Sequence, residues 1–303
     1  QAHELLAPVL RRLLSDSGVA RDQVTDVVAG NAVGGGGNVA RLAALEAGLG
    51  VGVPGLTVDR QCGSGLDAIV LASRLVASGP GFGGAGVYLA GGVESISTAP
   101  LRARPGADGE PQFFSRAQFA PSSFGDPDMG VAAENVAVRY GITRQRQDEF
   151  ALRSHRRALD AATAGTFDAE TVTLPGPDGP VARDDGPRRS LTPALLARFP
   201  AAFVAGGTVT AGNSCFDADG AAVVVITSLA RARRLGARDG LLVLGTDTAG
   251  VEPALLGMGA AAAAERLLAD SGVAATDLGL VEFNEAFASQ TLACLDHLGI
   301  DPE

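Results

Sequence analysis

GLTVDRQCGSGLDAI, residues 55–69, reads as a short apolar strand, a glycine turn and the opening of a helix, with Cys62 at the corner. The geometry resembles a nucleophile elbow: a side chain at such a corner projects outward while the first amides of the helix point near it. A thiol beside a helix N-terminus gains thiolate character. Gly63 and Gly65 permit the tight turn and let a substrate carbonyl approach the backbone. Amides so placed can hold a developing oxyanion, at roughly 3–4 kcal/mol per donor. The competing reading is that Cys62 is a small buried hydrophobe, the commonest fate of an isolated cysteine.

Outward from this turn, helical and β-branched runs alternate as in an α/β chain. Helices are expected at 1–16, 38–49, 66–76, 130–139 and 144–163, the last entered through Thr143 as N-cap. Strands are expected at 24–29, 56–58 and 87–90, the third ending in the turn GGVES, and again at 221–227 and 241–247 with an arginine-rich helix between. Residues 101–128 and 172–190, rich in Pro and Gly, read as loops. One internal repeat is visible. RLLSDSGVA at 12–20 returns as RLLADSGVA at 266–274, eight identities in nine, and both copies are expected to run through a polar turn into a strand, VTDVVAG at 24–30 and LGLVEFN at 278–284. The chain is therefore read as two duplicated βα halves. The same offset carried on from Cys62 leads past residue 303, so the second half is expected to be incomplete.

Composition removes several classes of function. Acidic residues number 34 against 24 basic ones, a net charge of −10, and every basic residue is an arginine. Without lysine there is no Schiff-base or pyridoxal chemistry and no Walker loop. An acidic chain with no basic run is a poor nucleic-acid ligand. Three cysteines without a CxxC spacing make neither a disulfide framework nor a thiolate zinc site, and no metal is expected. Apolar runs such as GAAAAAERLL at 259–268 are too short and too polar for a membrane span. The opening QAHELLAPVLRRLL lacks the shape of a signal peptide, which favours a cytoplasmic protein. Of the three histidines, His3 sits at a frayed start, His155 on a charged helix is expected at the surface, and His297 with Cys294 reads as helix packing.

RQCGSGLDAI resembles the acylated-cysteine signature of the thiolases, the acyl-CoA C-acyltransferases. In the family's order follow GGVES at 91–95, DMGVAAENVAVRYGITRQRQDEFALRSH at 128–155, GTVTAGNS at 207–214 and VEFNEAFASQ at 281–290, which resembles the NEAF motif. The resemblance implies a layered αβαβα thiolase-like fold, with an N-terminal half at 1–95, an inserted loop domain at 96–206, a return to the first half at 207–235 and a truncated C-terminal half at 236–303. It implies Claisen chemistry on 3-ketoacyl-CoA through an acyl-cysteine, with coenzyme A as substrate, no further cofactor, and a homodimer or homotetramer. Cys62 would be the nucleophile, and Asn284 would position a water at the substrate oxyanion. Met129, Arg188, Phe203, Ala211 and Phe287 fall where the family lines its pantetheine and nucleotide channel, with Arg188 suited to a CoA phosphate.

The chain also departs from the family pattern. Cys215 stands where a serine usually meets pantetheine, Phe216 replaces a small glycine, and GMGAAAAAE at 257–265 lacks the usual prolines. The family's N-terminal strand and its Gly-His-Pro and second Cys-x-Gly turns, which carry the activating histidine and the second acid–base, are not found in residues 1–303. An alternative is therefore a degenerate thiolase-like protein that binds acyl-CoA or a partner subunit without turnover. A carrier-protein-dependent synthase of the same superfamily fits the QCGSG and NEAF motifs less well.

Overall fold

The computed structural model describes residues 1–79, 81, 86–176 and 179–303. The chain divides into two compact units, residues 1–115, 172–182 and 217–244 in the first and 116–171, 183–216 and 245–303 in the second.

The first unit is a mixed four-stranded sheet between helices. Strand order is Gly55–Val58, Asp26–Gly30, Val87–Glu94, Gly220–Thr227; the first three run parallel and the last antiparallel. Two-residue alternation sorts the central strand: Val27 and Ala29 face one layer and Val28 the other. The first layer contains helices Ala2–Ser17 and Val39–Glu46, whose Leu6, Leu10, Leu14, Ala40 and Ala43 are buried with Val27 and Leu89. The 3.6-residue period of the leucines aligns them on one stripe. The second layer is the helix Ser64–Ala77, where Ala68 and Ala72 meet Val28, Tyr88 and Ala90. Small residues here bring the helix close to the sheet.

Glycines decide where that helix starts. A Cβ on Gly30, the last residue of its strand, would lie 2.2 Å from the backbone carbon of Ser64, and one on Gly92 would lie 2.9 Å from the Gly65 Cα. The first turn of the helix thus rests directly on the carboxyl ends of two parallel strands, the edge where α/β sheets present their ligands. Gly30→Ala should cost about 3 kcal/mol, the upper end of the usual overpacking range, because backbone must move to admit the methyl group. A urea midpoint within experimental error of the wild type would contradict that packing.

Three expectations need correction. The strand at 87–90 does not stop at the glycines but continues to Glu94, with Gly91 opposite Val223 and Gly92 opposite Ala222. A Cβ on Gly91 would stand 2.0 Å from the Ala222 carbonyl oxygen, so this glycine serves close strand approach rather than a turn. The loop 101–128 contains a hairpin, Arg102–Pro105 with Pro111–Phe114, and the loop 172–190 contains the short pair Leu174–Gly176 and Gly179–Val181; residues 177 and 178 of the latter lie outside the described residues. Neither 241–247 nor 278–284 forms a strand; Leu241, Leu244 and Leu280 are exposed, and no described strand pairs with either stretch. Without a neighbour to complete its ladder, an extended apolar run has no hydrogen bonds to hold it as a strand.

The second unit is helical. Helices Met129–Tyr140, Arg144–Ala164, Gly259–Ser271 and Ala288–Leu298 bury Val136, Phe150, Met258, Ala261, Leu292 and Cys294 in one cluster. Cys294 is fully buried and its Sγ donates to the Gly257 carbonyl at 3.3 Å; burial pushes its thiol above the ordinary range. Among the described residues no helix is long and apolar enough to cross a membrane.

Candidate functional site

Cys62 lies two residues before the helix Ser64–Ala77, exposed, at the corner expected of it. Gln61 before it has φ +50°, a left-handed conformation uncommon outside glycine. The sharp corner is braced on both sides. The Ser64 hydroxyl accepts from the Arg60 N–H at 2.7 Å and donates to the Gln61 carbonyl at 2.6 Å. Arg60 Nε also donates to Asp67 at 2.6 Å, one helical turn further on. The turn is therefore pinned to its own helix, with Cys62 outside the apolar clusters. Ser64 and the Arg60–Asp67 pair were not singled out in the sequence, although opposite charges bracketing the cysteine turn are a readable signal.

The remaining candidates belong to the second unit, and several converge. Met129 opens its helix, and the next residue, Gly130, has no side chain because the Phe203 ring occupies that place; a Cβ there would lie 2.1 Å from Phe203 Cγ. Phe203 meets Phe287 edge to face, with centroids 6.0 Å apart and planes at 82°. Phe287 in turn is bridged to Ser214, and the Cys215 N–H donates to the Ala286 carbonyl at 2.9 Å. Gly130, Phe203, Phe287 and Ser214 are thus linked through consecutive contacts, with Met129 and Cys215 their chain neighbours. Ala211 is exposed in the turn between Thr210 and Asn213, and Asn284 is exposed immediately before Glu285.

A buried polar network holds these pieces. Glu134, 5 % exposed, accepts from the Thr208 N–H and the Val209 N–H, each at 2.8 Å, and from the Thr208 hydroxyl at 2.9 Å. Asn213 donates to Asp148 at 2.9 Å, accepts from the Thr210 N–H at 2.8 Å, and gives its backbone carbonyl to Ala288 at 3.0 Å. The segment GTVTAGNS is therefore clamped to the helices on one side and to residues 286–288 on the other. Glu134 escaped the sequence reading, though its position carried a signal: it shares a helix face with Gly130, Ala133 and Ala137, where an acid must find donors.

His155 is a correction. It is half-buried and lines a cleft of about 160 Å³ with Phe150, Ser154, Cys215, Phe216 and Glu285. The Ser154 hydroxyl donates to Glu285. Phe216 also stands against the chain: its Cζ would be 2.0 Å from a Cβ on Gly186. Arg188, two residues later, is exposed.

Residues 1–230 match the family model of the thiolase N-terminal domain, and residues 237–303 that of the thiolase C-terminal domain. Similar proteins include "Putative acetyl-CoA C-acetyltransferase VraB" of Staphylococcus haemolyticus, 45 % identical over 98 % of this chain and 78 % of its own. Another is "Putative acetyl-CoA C-acetyltransferase YhfS" of Bacillus subtilis, 40 % identical over 98 % of this chain and 76 % of its own. The fold is similar to the crystal structure of the Bacillus anthracis acetyl-CoA acetyltransferase, with a TM-score of 0.87 and 34 % identity, covering 99 % of this chain and 78 % of that one.

Proposed function

This chain belongs to the thiolase family, and on that premise we propose that it is an acyl-CoA acyltransferase that forms or cleaves 3-ketoacyl-CoA through an acyl group on Cys62. The observation that carries this is the braced, exposed cysteine at the carboxyl ends of the parallel strands of a mixed sheet, seated at a helix N-terminus. The Cys62 thiolate adds to the thioester carbonyl, and the tetrahedral intermediate collapses by breaking the bond to CoA sulfur, which leaves as thiolate. The α-proton of a second acyl-CoA passes to a general base, and the carbanion so formed attacks the acyl carbonyl; the new C–C bond forms, the bond to Cys62 sulfur breaks, and Cys62 departs as thiolate. Thiolysis is the reverse. Splitting the transfer at a covalent acyl-enzyme replaces one difficult step with two easier ones.

In this reading Met129, Phe203, Ala211, Cys215 and Phe287 contact the pantetheine arm, Arg188 pairs with a CoA phosphate, and Asn284 orients a water at the oxyanion. Acetyl-CoA is the acyl donor to try first, as the names of its relatives suggest. The same reading places the protein in cytoplasmic lipid metabolism as a homodimer or homotetramer, with residues 96–206 as the loop domain. Incubation with acetyl-CoA and peptide mass spectrometry is the test. Acetyl found on the peptide containing Cys62 supports the proposal, and a folded protein that binds CoA yet never acquires the adduct is instead a binding module.

A further inference from the structure

We propose that His155 is a positioning residue: its imidazole seats the loop 183–190 and so presents Arg188 to the phosphates of coenzyme A, an inference that rests on the acyl-CoA reading above. The loop is held at two points of the cleft wall. At Gly186, which is buried, the Phe216 ring occupies the space a side chain would need. Two residues on, the Arg188 backbone N–H donates to His155 Nδ1 at 3.2 Å. With its main chain fixed by these contacts, the exposed Arg188 side chain starts from a defined base, which lowers the ordering cost of meeting a phosphate.

An imidazole nitrogen that accepts an N–H is unprotonated, so the proton of neutral His155 sits on Nε2. Protonating Nδ1 turns the acceptor into a donor that faces a donor, and the seat is lost. The charged and titratable groups around the ring are Arg188 from the loop, Glu285 beside Ser154, and the Cys215 thiol across the cleft. Burial, and then the Arg188 charge, hold the imidazole below its ordinary range, with Glu285 opposing. The neutral form therefore dominates at neutral pH. The seat is present there and disappears as pH falls through the lowered folded value.

Asparagine is the discriminating substitution, because its Oδ1 is bonded to the backbone through the same number of atoms as His Nδ1 but does not titrate. Two measurements on the whole chain test the proposal. Amide exchange of peptides covering 183–190, corrected for intrinsic pH dependence, should lose about fivefold protection in His155→Leu, the scale of one hydrogen bond, and keep it in His155→Asn. Calorimetric titration with coenzyme A should show affinity lowered by about the same factor in His155→Leu and preserved in His155→Asn. Acidifying below the ordinary histidine range should weaken wild-type binding more than that of His155→Asn, in which only the phosphates of the ligand titrate. Unchanged exchange in His155→Leu overturns the seat. A lost seat with unchanged CoA affinity overturns its link to Arg188, and a parallel acid loss in His155→Asn overturns the role of the imidazole. These readouts need no turnover, so absence of acetyl on Cys62 would refute the catalytic proposal without deciding this one.

Discussion

Cys62→Ala is expected to abolish acyl transfer, lowering kcat by about 10⁴-fold or more, the scale seen when a covalent nucleophile is removed from an enzyme that works as a unit. Stability should barely change. The Cys62 side chain is exposed and belongs to none of the apolar clusters, while the hydrogen bonds that shape the turn come from Arg60, Gln61, Ser64 and Asp67. The variant should therefore retain the wild-type urea midpoint and bind coenzyme A normally, because the residues proposed to hold CoA belong to the second unit. Cys62→Ser should be nearly as inactive, since a hydroxyl has far less anionic character at neutral pH than a thiol. Steady-state thiolysis of a 3-ketoacyl-CoA, with the midpoint as control, decides the matter. Activity within tenfold of wild type in the alanine variant would remove Cys62 from the mechanism.

The second large effect concerns stability. Glu134→Ala should cost about 3–5 kcal/mol, because it leaves two N–H groups and one hydroxyl without their acceptor at about 1–3 kcal/mol for each one kept from water. Its carboxylate satisfies two backbone N–H groups and one hydroxyl of Thr208 and Val209, and Val209 is fully buried, so water cannot easily replace what the alanine removes. Gly207 adds a steric condition: a Cβ there would sit 2.6 Å from Glu134 Oε2. Glu134→Gln should be milder than alanine, since its amide oxygen can still accept from the two N–H groups and its amide nitrogen can face the Thr208 hydroxyl, which accepts as well as donates, while the charge-assisted strength of the bonds is lost. The expected readout is a lowered urea midpoint with an unchanged slope. If alanine shifts stability by less than about 1 kcal/mol, the network does not hold the GTVTAGNS segment in the way described.

What was legible in the sequence, and what was not, follows the range of the forces involved. The cysteine turn could be read because the hydrogen bonds that brace it span at most seven residues, from Arg60 to Asp67, whereas its close seat on Gly30 and Gly92 could not. Thr143 was recognisable as an N-cap for the same reason, its hydroxyl accepting from the Arg146 N–H at 3.3 Å. The contact of Phe203 with Phe287, the clamp of Glu134 on Thr208 and the seat of His155 under Arg188 join residues far apart in the chain. No local period announces them. His155 was expected at the surface because its neighbours Arg153, Arg156 and Arg157 are charged, yet the loop that half-covers it arrives from 33 residues away.

The internal repeat shows the same boundary within one chain. In both copies the helix ends at a glycine with φ +66°, Gly18 and Gly272, as a left-handed stop requires. Both continue into a short 3₁₀ turn, Arg21–Gln23 and Ala275–Asp277, and in both a side chain three residues on, Gln23 or Asp277, accepts from the backbone N–H before the turn. These features are settled by nine residues and their immediate sequel, since helix stops and caps are closed by bonds within one or two turns. The copies then part. Asp26–Gly30 becomes the second strand of the sheet because Gly55–Val58 and Val87–Glu94 lie on either side of it. Residues 278–284 have no such neighbours among the described residues and remain irregular and largely exposed. A helix carries its hydrogen-bond partners within itself, whereas a strand must borrow them, and only the tertiary structure decides whether they are there.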